Sequence, residues 1–187
     1  MTSSASAPSY VAILKKYESC SDDVKKYFDL LPKLIKHDYP HSVSLAYVFF
    51  QTEKAQNRAL YGGVVKLHRG NAKIVDDLVY AAHITRGNFL SLFKNVFDQS
   101  LTEATASKIK EAEKTRDKLV HGKNVRDAIL REAICDVLAY AEDVNVELEK
   151  LAGFKPFGDM RGFKGRGEAL DAKTTKWLMK GLGFPAS

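Results

Sequence analysis

The amino-acid sequence predicts an all-α fold. Along most of the 187 residues, apolar side chains recur at intervals of three and four, which is the spacing of one face of an α-helix. No stretch alternates apolar and polar residues for long enough to predict a β-strand. Hydrophobic residues make up 45% of the chain and charged residues 28%, a balance that excludes wholesale disorder. We therefore expect a helical bundle of about five main helices, followed by a basic, glycine-containing tail with a short terminal helix.

The first two predicted helices lie within residues 21–68. Ser21 is the predicted N-cap of the first helix, because its hydroxyl can accept a hydrogen bond from a free backbone N–H. The apolar stripe of this helix consists of Val24, Phe28, Leu31 and Ile35. Pro32 predicts a kink, since proline cannot donate the helical hydrogen bond. A long second helix is predicted over residues 42–68, and Gly62 and Gly63 inside it indicate a bend or a close helix contact.

The third predicted helix covers residues 71–97 and the fourth covers residues 102–120. Ser100 and Glu103 form a capping-box pattern at the start of the fourth helix. Gly122 follows that helix, as is typical of a helix C-terminus.

The fifth predicted helix begins after Asn124 and has the clearest pattern in the chain. Its apolar residues recur at alternating steps of four and three, namely Leu130, Ile134, Val137, Ala141, Val144, Leu148 and Leu151. This heptad-like seam is suited to packing along another helix, either within a bundle or across a dimer.

The composition changes after Leu151. Glycines and basic residues dominate the following stretch, and a short last helix is predicted over residues 171–180. From Gly153 onward there are seven Lys and Arg residues against three Asp and Glu, so most of the chain's net charge of +6 lies here. Such an excess favours anionic partners, among which nucleic acid is the obvious one. We predict a partly disordered lead-in (1–20), a helical bundle (21–152) and a basic tail (153–187).

No segment of the sequence predicts a membrane span or a secretion signal. Apolar runs fall short of the roughly 18 residues that cross a bilayer, and the N-terminus has no basic start. Cys20 and Cys135 lie far apart and outside any C-x-x-C pattern, which argues against a disulfide framework or a zinc ribbon. His37 and His41 have the spacing of two helical metal ligands, but Pro40 breaks the helix between them. We predict a cytoplasmic protein with no metal, no cofactor and no membrane partner.

The segment from Arg116 to His121 contains the candidate catalytic residues. The stripe of the fourth helix that should face the core consists of Ile109, Ala112, Arg116 and Leu119. An arginine on such a stripe needs a partner, because an unpaired buried charge is very costly. His121 follows five residues later, where the helix should end before Gly122.

The run Arg116 to Gly122 (Arg-Asp-Lys-Leu-Val-His-Gly) resembles the R-x-x-x-x-H signature of HEPN domains, the higher eukaryotes and prokaryotes nucleotide-binding family. That signature has a polar residue directly after the arginine, as Asp117 is here. The resemblance covers this heptapeptide in sequence and roughly residues 42–151 in the order of predicted helices. It implies a metal-independent endoribonuclease that acts as a homodimer, with the Arg/His pairs of both copies meeting at the interface. It also implies a toxin–antitoxin or antiviral defence system, and hence an antitoxin or another partner protein.

These residue types suit RNA cleavage without a metal. The reaction needs a base for the 2′-OH proton, an acid for the leaving oxygen and positive charge at the phosphate. We expect His121 to transfer protons and Arg116 to hold the phosphate, and the product would be a 2′,3′-cyclic phosphate. The candidate supporting residues are Glu113, Asp117 and Lys118. The candidate RNA-binding residues are Lys123, Arg126, Arg161, Lys164 and Arg166. The predicted homodimer forms through the fourth and fifth helices.

Two alternatives remain open. In the first, the same fold is a non-catalytic module that binds a protein or a nucleotide, with Arg116 paired to Glu113 and His121 merely close to a helix C-terminus. In the second, the protein is a helical scaffold unrelated to HEPN domains. Glu53 and Asn57, midway along the second helix, either orient the catalytic residues or form a solvated face.

Overall fold

A computed structural model of the chain describes residues 10–37 and 39–185, and only the backbone of Arg86. This part of the chain contains nine α-helices and no strand, so the predicted all-α class is confirmed. The helices are α1 (Tyr10–Glu18), α2 (Asp22–Tyr27), α3 (Leu31–Lys36), α4 (His41–Leu67), α5 (Ala72–Ala81), α6 (Arg86–Phe97), α7 (Glu103–Val120), α8 (Asp127–Ala152) and α9 (Ala172–Gly181). Within the described ranges, every helix falls short of the length or the apolarity that crossing a membrane requires.

The chain divides into two compact units. The first contains Met1–Glu53 and Thr102–Val144, and the second contains Lys54–Leu101 and Asn145–Ser187. Helices α4 and α8 contribute to both units, whereas α1, α2, α3 and α7 belong to the first and α5, α6 and α9 to the second. The boundaries predicted at residues 20 and 152 both lie inside units.

The N-terminal part of the first unit is more helical than the sequence predicts. Residues 1–9 of the predicted lead-in lie outside the described residues, but α1 follows them. In α1, Ile13 is fully buried, and the hydroxyl of Tyr17 donates a hydrogen bond to the Lys25 carbonyl oxygen at 2.7 Å. Ser21 caps α2 as predicted, by accepting the N–H of Val24.

The single kinked helix predicted after Ser21 is wrong. The chain instead leaves the helical path after Tyr27 and begins α3 at Leu31. Pro32 lies in the first turn of α3, where its missing N–H breaks no helical hydrogen bond. Proline therefore starts a new helix here and does not bend an existing one.

Gly62 and Gly63 lie at close contacts within the second unit, one of the two roles predicted for them. A Cβ atom at Gly62 would lie 2.5 Å from the ring of Phe154, and one at Gly63 would lie 2.5 Å from the side chains of Val96 and Phe97. Helix α4 runs unbroken through both glycines. They allow neighbouring side chains to reach its backbone.

The single third helix predicted over residues 71–97 is also wrong, because the chain forms α5 and α6 there. His83 adopts a left-handed backbone with φ of 43°, and the Thr85 hydroxyl caps α6 by accepting the N–H of Asn88. The apolar pattern continues across this break, so periodicity alone does not reveal it. The Asn71 side chain caps α5 by accepting the N–H of Ile74.

Helices α7 and α8 follow the predicted pattern, with one correction. The N-cap of α7 is Thr102, which accepts the N–H of Thr105, and not Ser100. The α8 seam is buried at six of its seven positions, namely Leu130, Ile134, Val137, Ala141, Val144 and Leu148. Because the single chain already buries these side chains, the seam is not available to a second copy.

The C-terminal segment packs into the second unit. Phe154 and Phe157 are buried, and the Phe157 N–H donates to the side-chain oxygen of Asn145 at 2.9 Å. The predicted terminal helix is confirmed as α9, which Asp171 caps by accepting backbone N–H groups of the first turn.

Candidate functional site

His121 lies at the C-terminal end of α7, in a tightly hydrogen-bonded turn. The N–H of Gly122 donates to the Leu119 carbonyl oxygen at 2.9 Å, and the N–H of Lys123 donates to that of Lys118 at 2.8 Å. With Gly122 at φ of 69°, these two bonds form a Schellman motif. The His121 side chain is exposed, and its imidazole makes no hydrogen bond to any residue that the structure describes. The turn therefore fixes the backbone position of His121, and both ring nitrogens of its imidazole remain accessible to a ligand.

Replacing Gly122 with alanine should lower the free energy of unfolding by about 1 kcal/mol, because a Cβ is strained in the left-handed region. The space around Gly122 is open, so the cost is one of backbone conformation and not of a clash. Gly87 has equally open surroundings but lies in α6, so Gly87→Ala is the matched control and should instead stabilise by roughly 0.5 kcal/mol. Urea unfolding of the two variants measures the difference, and equal effects would contradict it.

Arg116 is held by an ion pair between α7 and α4 in the first unit. Its Nη1 donates to Glu53 Oε1 at 2.9 Å, and its guanidinium carbon lies 5.2 Å from the centre of the Phe49 ring. The Arg116 side chain is 28% exposed and that of Glu53 is 49% exposed. Arg116 thus has the partner that its place on the inward stripe demands. That partner comes from the polar residues midway along the second predicted helix.

An apolar groove between α4 and α7 surrounds this ion pair. It has a volume of about 380 Å³ and is lined by Ser42, Leu45, Ala46, Phe49, Phe50, Glu53, Arg116, Leu119 and Val120. Phe50 is 61% exposed and Val120 is 69% exposed, although both are apolar. Exposed apolar side chains gathered in one place mark an interaction surface. Arg116 and the residue preceding His121 both belong to that surface.

A second, more polar cleft lies between α7 and α8 in the same unit. Its volume is also about 380 Å³, and it is lined by Glu111, Lys114, Thr115, Lys118, Ile129, Glu132, Ala133 and Asp136. Lys118, predicted to support catalysis, lines this cleft and not the groove that contains Arg116.

Asp136 is a titratable residue that lies outside the predicted site. Burial raises the pKa of its carboxyl to about 6, and the neighbouring carboxylates of Glu132 and Glu111 add to the effect against the opposing charge of Lys108. A carboxyl with such a pKa can exchange a proton near neutral pH, which is the property of a general acid or base. The sequence signal that points to Asp136 is an acidic residue directly before Val137, which belongs to the apolar seam of α8.

Changing Asp136 to asparagine should stabilise the protein by about 2 kcal/mol at about pH 8 and have little effect near pH 4. Because burial raises the pKa of Asp136 to about 6, the unfolded chain loses this proton first as the pH rises. Stability therefore falls between about pH 4 and pH 6, and the whole loss persists at higher pH. Thermal melts at both pH values measure this gain. The exposed Asp77→Asn variant is the control, and a gain at pH 4 equal to that at pH 8 would contradict the expectation.

The other predicted supporting and RNA-binding residues fall into two groups. In the first unit, Glu113 and Asp117 are partly buried on α7, whereas Lys123 and Arg126 are exposed in the turn before α8. The remaining candidates belong to the second unit and are exposed, namely Arg161, Lys164 and Arg166.

Arg161 already has an anionic partner. Its Nε donates to the two carboxylate oxygens of Asp159 at 3.0 and 2.8 Å, and this contact lowers the pKa of Asp159 to about 2. A phosphate would have to compete with that carboxylate for the guanidinium.

The described residues contain no group of three or more His, Cys, Asp and Glu side chains arranged to hold a metal ion. His37 follows the last residue of α3 and His41 is the first residue of α4. Burial raises the pKa of Cys20 and of Cys135 to about 11, so both thiols stay protonated at neutral pH. Protonated thiols are poor nucleophiles and poor metal ligands.

Comparison with known proteins finds no family model, no curated protein and no solved structure that matches this chain.

Proposed function

We propose that the protein is a metal-independent endoribonuclease of HEPN type, with a HEPN-like helical bundle and with Arg116 and His121 as its catalytic residues. The observation that carries the proposal is the arrangement at the end of α7. Arg116 is held partly buried by Glu53 and Phe49, while His121 is exposed in a fixed turn five residues later. A held cation and an open imidazole are the two kinds of group that this reaction requires.

In the proposed reaction, one imidazole takes the proton of the ribose 2′-OH, and the 2′ oxygen attacks the adjacent phosphorus. The bond from phosphorus to the 5′ oxygen breaks, and a second imidazole, in its protonated form, gives a proton to that oxygen. The products are a 2′,3′-cyclic phosphate and a free 5′-OH. Arg116 has five N–H donors and gives one of them to Glu53, which leaves others for the phosphate oxygens.

The reaction uses two imidazoles on opposite sides of the phosphate, whereas each chain supplies one at this site. We therefore propose a homodimer in which two copies of the chain bring their His121 side chains together. The α8 seam is buried within the chain, so the exposed groove with Phe50 and Val120 is the surface that a second copy would cover. Val120 precedes His121 directly, and packing at Val120 would place the two histidines near the symmetry axis.

The resemblance also supports a biological setting for the enzyme. We propose that it acts on RNA in the cytoplasm, in a toxin–antitoxin or antiviral system, with an antitoxin or other partner protein that restrains it.

Incubation of the purified protein with total RNA and EDTA tests the proposal, beside a His121→Asn variant of equal melting temperature. The wild type should leave 2′,3′-cyclic ends, and the variant should cleave about 100-fold more slowly because it cannot transfer the proton. Equal cleavage by both proteins would show that His121 takes no part in the reaction. An absence of cleavage by either protein would favour the second candidate function below.

The second candidate is a non-catalytic module that binds a protein partner. The exposed apolar side chains of Phe50 and Val120 favour it, because they suit a protein surface whether or not RNA is cleaved. In that case the partner would still bind the His121→Asn variant.

A further inference from the structure

Helix α9 exposes a face that is both basic and aromatic. Lys173, Lys176, Trp177 and Lys180 follow one another at the i, i+3, i+4, i+7 spacing that places side chains on one side of a helix. Trp177 is 77% exposed, and the three lysines are exposed as well. The ten residues of α9 include no acidic side chain. An indole with three cations beside it is therefore presented to solvent.

The opposite face of α9 holds the helix in the second unit. Thr175 and Met179 are fully buried, and the Thr175 Oγ1 accepts the N–H of Asn71 at 3.1 Å. Asp171 fixes the first turn by accepting the backbone N–H groups of Lys173 and Thr174. Because other residues anchor the helix, Trp177 is not needed to attach it.

We propose that this face binds single-stranded nucleic acid, with a base stacked on Trp177 and the neighbouring phosphates bound by Lys173, Lys176 and Lys180. Stacking of a base on an exposed aromatic side chain, combined with cations along the backbone, is the usual chemistry of single-strand binding. Lys173 and Lys180 lie about 10 Å apart along the helix axis, one on each side of Trp177. They are therefore placed for the phosphates on either side of a stacked base.

Two other anionic surfaces fit this face less well. Paired bases in a duplex are stacked on one another and are not open to Trp177. A membrane-surface helix needs a broad apolar face, whereas in α9 Met179 is buried, Leu178 is partly buried and Trp177 is the one large apolar side chain that is exposed. A single indole contributes too little apolar area for insertion.

Binding of single-stranded nucleic acid by α9 does not depend on ribonuclease activity, and the experiment measures binding separately from cleavage. Single-stranded DNA lacks the 2′-OH that the proposed cleavage consumes, so it reports binding alone. Trp177 is the only tryptophan in the chain, so its fluorescence reports on this face directly. Adding an oligo(dT) of about 12 nucleotides should quench that fluorescence to saturation. With three phosphate contacts, the affinity should fall roughly 20-fold between about 50 and 200 mM salt.

Substitution of all three lysines by glutamine (Lys173→Gln, Lys176→Gln, Lys180→Gln) should weaken binding at least about tenfold, while Trp177 remains as the reporter. The matched control removes the same charge from three exposed lysines of the first unit, namely Lys26→Gln, Lys33→Gln and Lys36→Gln, and should change the affinity less than about twofold. Fluorescence anisotropy of a labelled oligo(dT) should show a loss of about fivefold or more for Trp177→Ala.

Three results would overturn the proposal. They are equal losses in the two lysine variants, an unchanged affinity of Trp177→Ala, and equal binding of a duplex of the same length. A blue shift of Trp177 emission with phosphatidylserine vesicles, without quenching by oligo(dT), would instead assign the face to a membrane surface.

Discussion

Replacing Arg116 with alanine is expected to slow RNA cleavage by about 1,000-fold while the chain stays folded. The guanidinium is the cation that the proposed reaction places on the phosphate, and removing such a group costs most in the transition state. The Glu53 carboxylate left behind is 49% exposed, so water can solvate it and the fold loses little. We expect the turnover number to fall far more than the Michaelis constant rises. A large drop in the melting temperature of Arg116→Ala alongside the loss of activity would instead indicate a structural role for Arg116.

The Glu53→Gln variant separates orientation of Arg116 from its charge. Glutamine can still accept a hydrogen bond from Nη1 but no longer attracts the guanidinium, so we expect about tenfold slower cleavage. The double variant Arg116→Ala, Glu53→Gln should be no slower than Arg116→Ala alone, because Glu53 acts through Arg116. Glu149→Gln, which removes the Glu149–Lys155 pair at 3.3 Å, is the control and should leave the rate unchanged. Additive losses in the double variant would contradict the positioning role of Glu53.

Introducing a charge at Val120 is expected to abolish dimerisation and, at protein concentrations of about 10 nM, to lower RNA cleavage by about 1,000-fold. Val120 is 69% exposed in the single chain, so Val120→Glu should leave the folded monomer almost as stable as before. In the proposed dimer the same glutamate would be buried in an apolar groove whose lining cation, Arg116, is already paired with Glu53. Sedimentation velocity and cleavage assays over a range of concentrations measure both effects.

Val146 supplies the matched control for this experiment. It is also an exposed valine on a helix, with 48% of its side chain exposed, but it does not line the groove. Val146→Glu should therefore remain dimeric and active. A monomeric wild type, or an equal loss of activity in the two valine variants, would show that the groove is not a dimer interface.

The sequence predicts the ends of α7 and α9 but misses the break before α6. Helices α7 and α9 are bounded by Gly122 and Asp171, whose roles as a C-terminal glycine and an N-cap can be read locally. The break before α6 depends on a left-handed His83 inside a continuous apolar pattern. Local patterns predict helix ends only where a residue type is tied to one backbone geometry.

The sequence indicates which residues form the candidate site, but it does not indicate which residues they contact. The Arg116 to His121 spacing is local and can be read from the chain, whereas Glu53 lies on another helix and is identified as the partner only by the fold. The raised pKa of Asp136 likewise depends on burial between α7 and α8. Contacts between residues distant in sequence, and the dielectric environment they create, are not encoded in any short motif.

The division of the chain into two units restricts how the protein can be made. Each unit consists of two separated stretches of the chain. The chain passes from one unit to the other after Glu53, after Leu101 and after Val144. A ribosome releases the chain from its N-terminus, so when Leu101 has emerged neither unit has all of its residues. The first unit has all of its residues only with Val144, and the second must wait for the stretch that starts at Asn145. Neither unit can therefore be produced alone as one contiguous fragment.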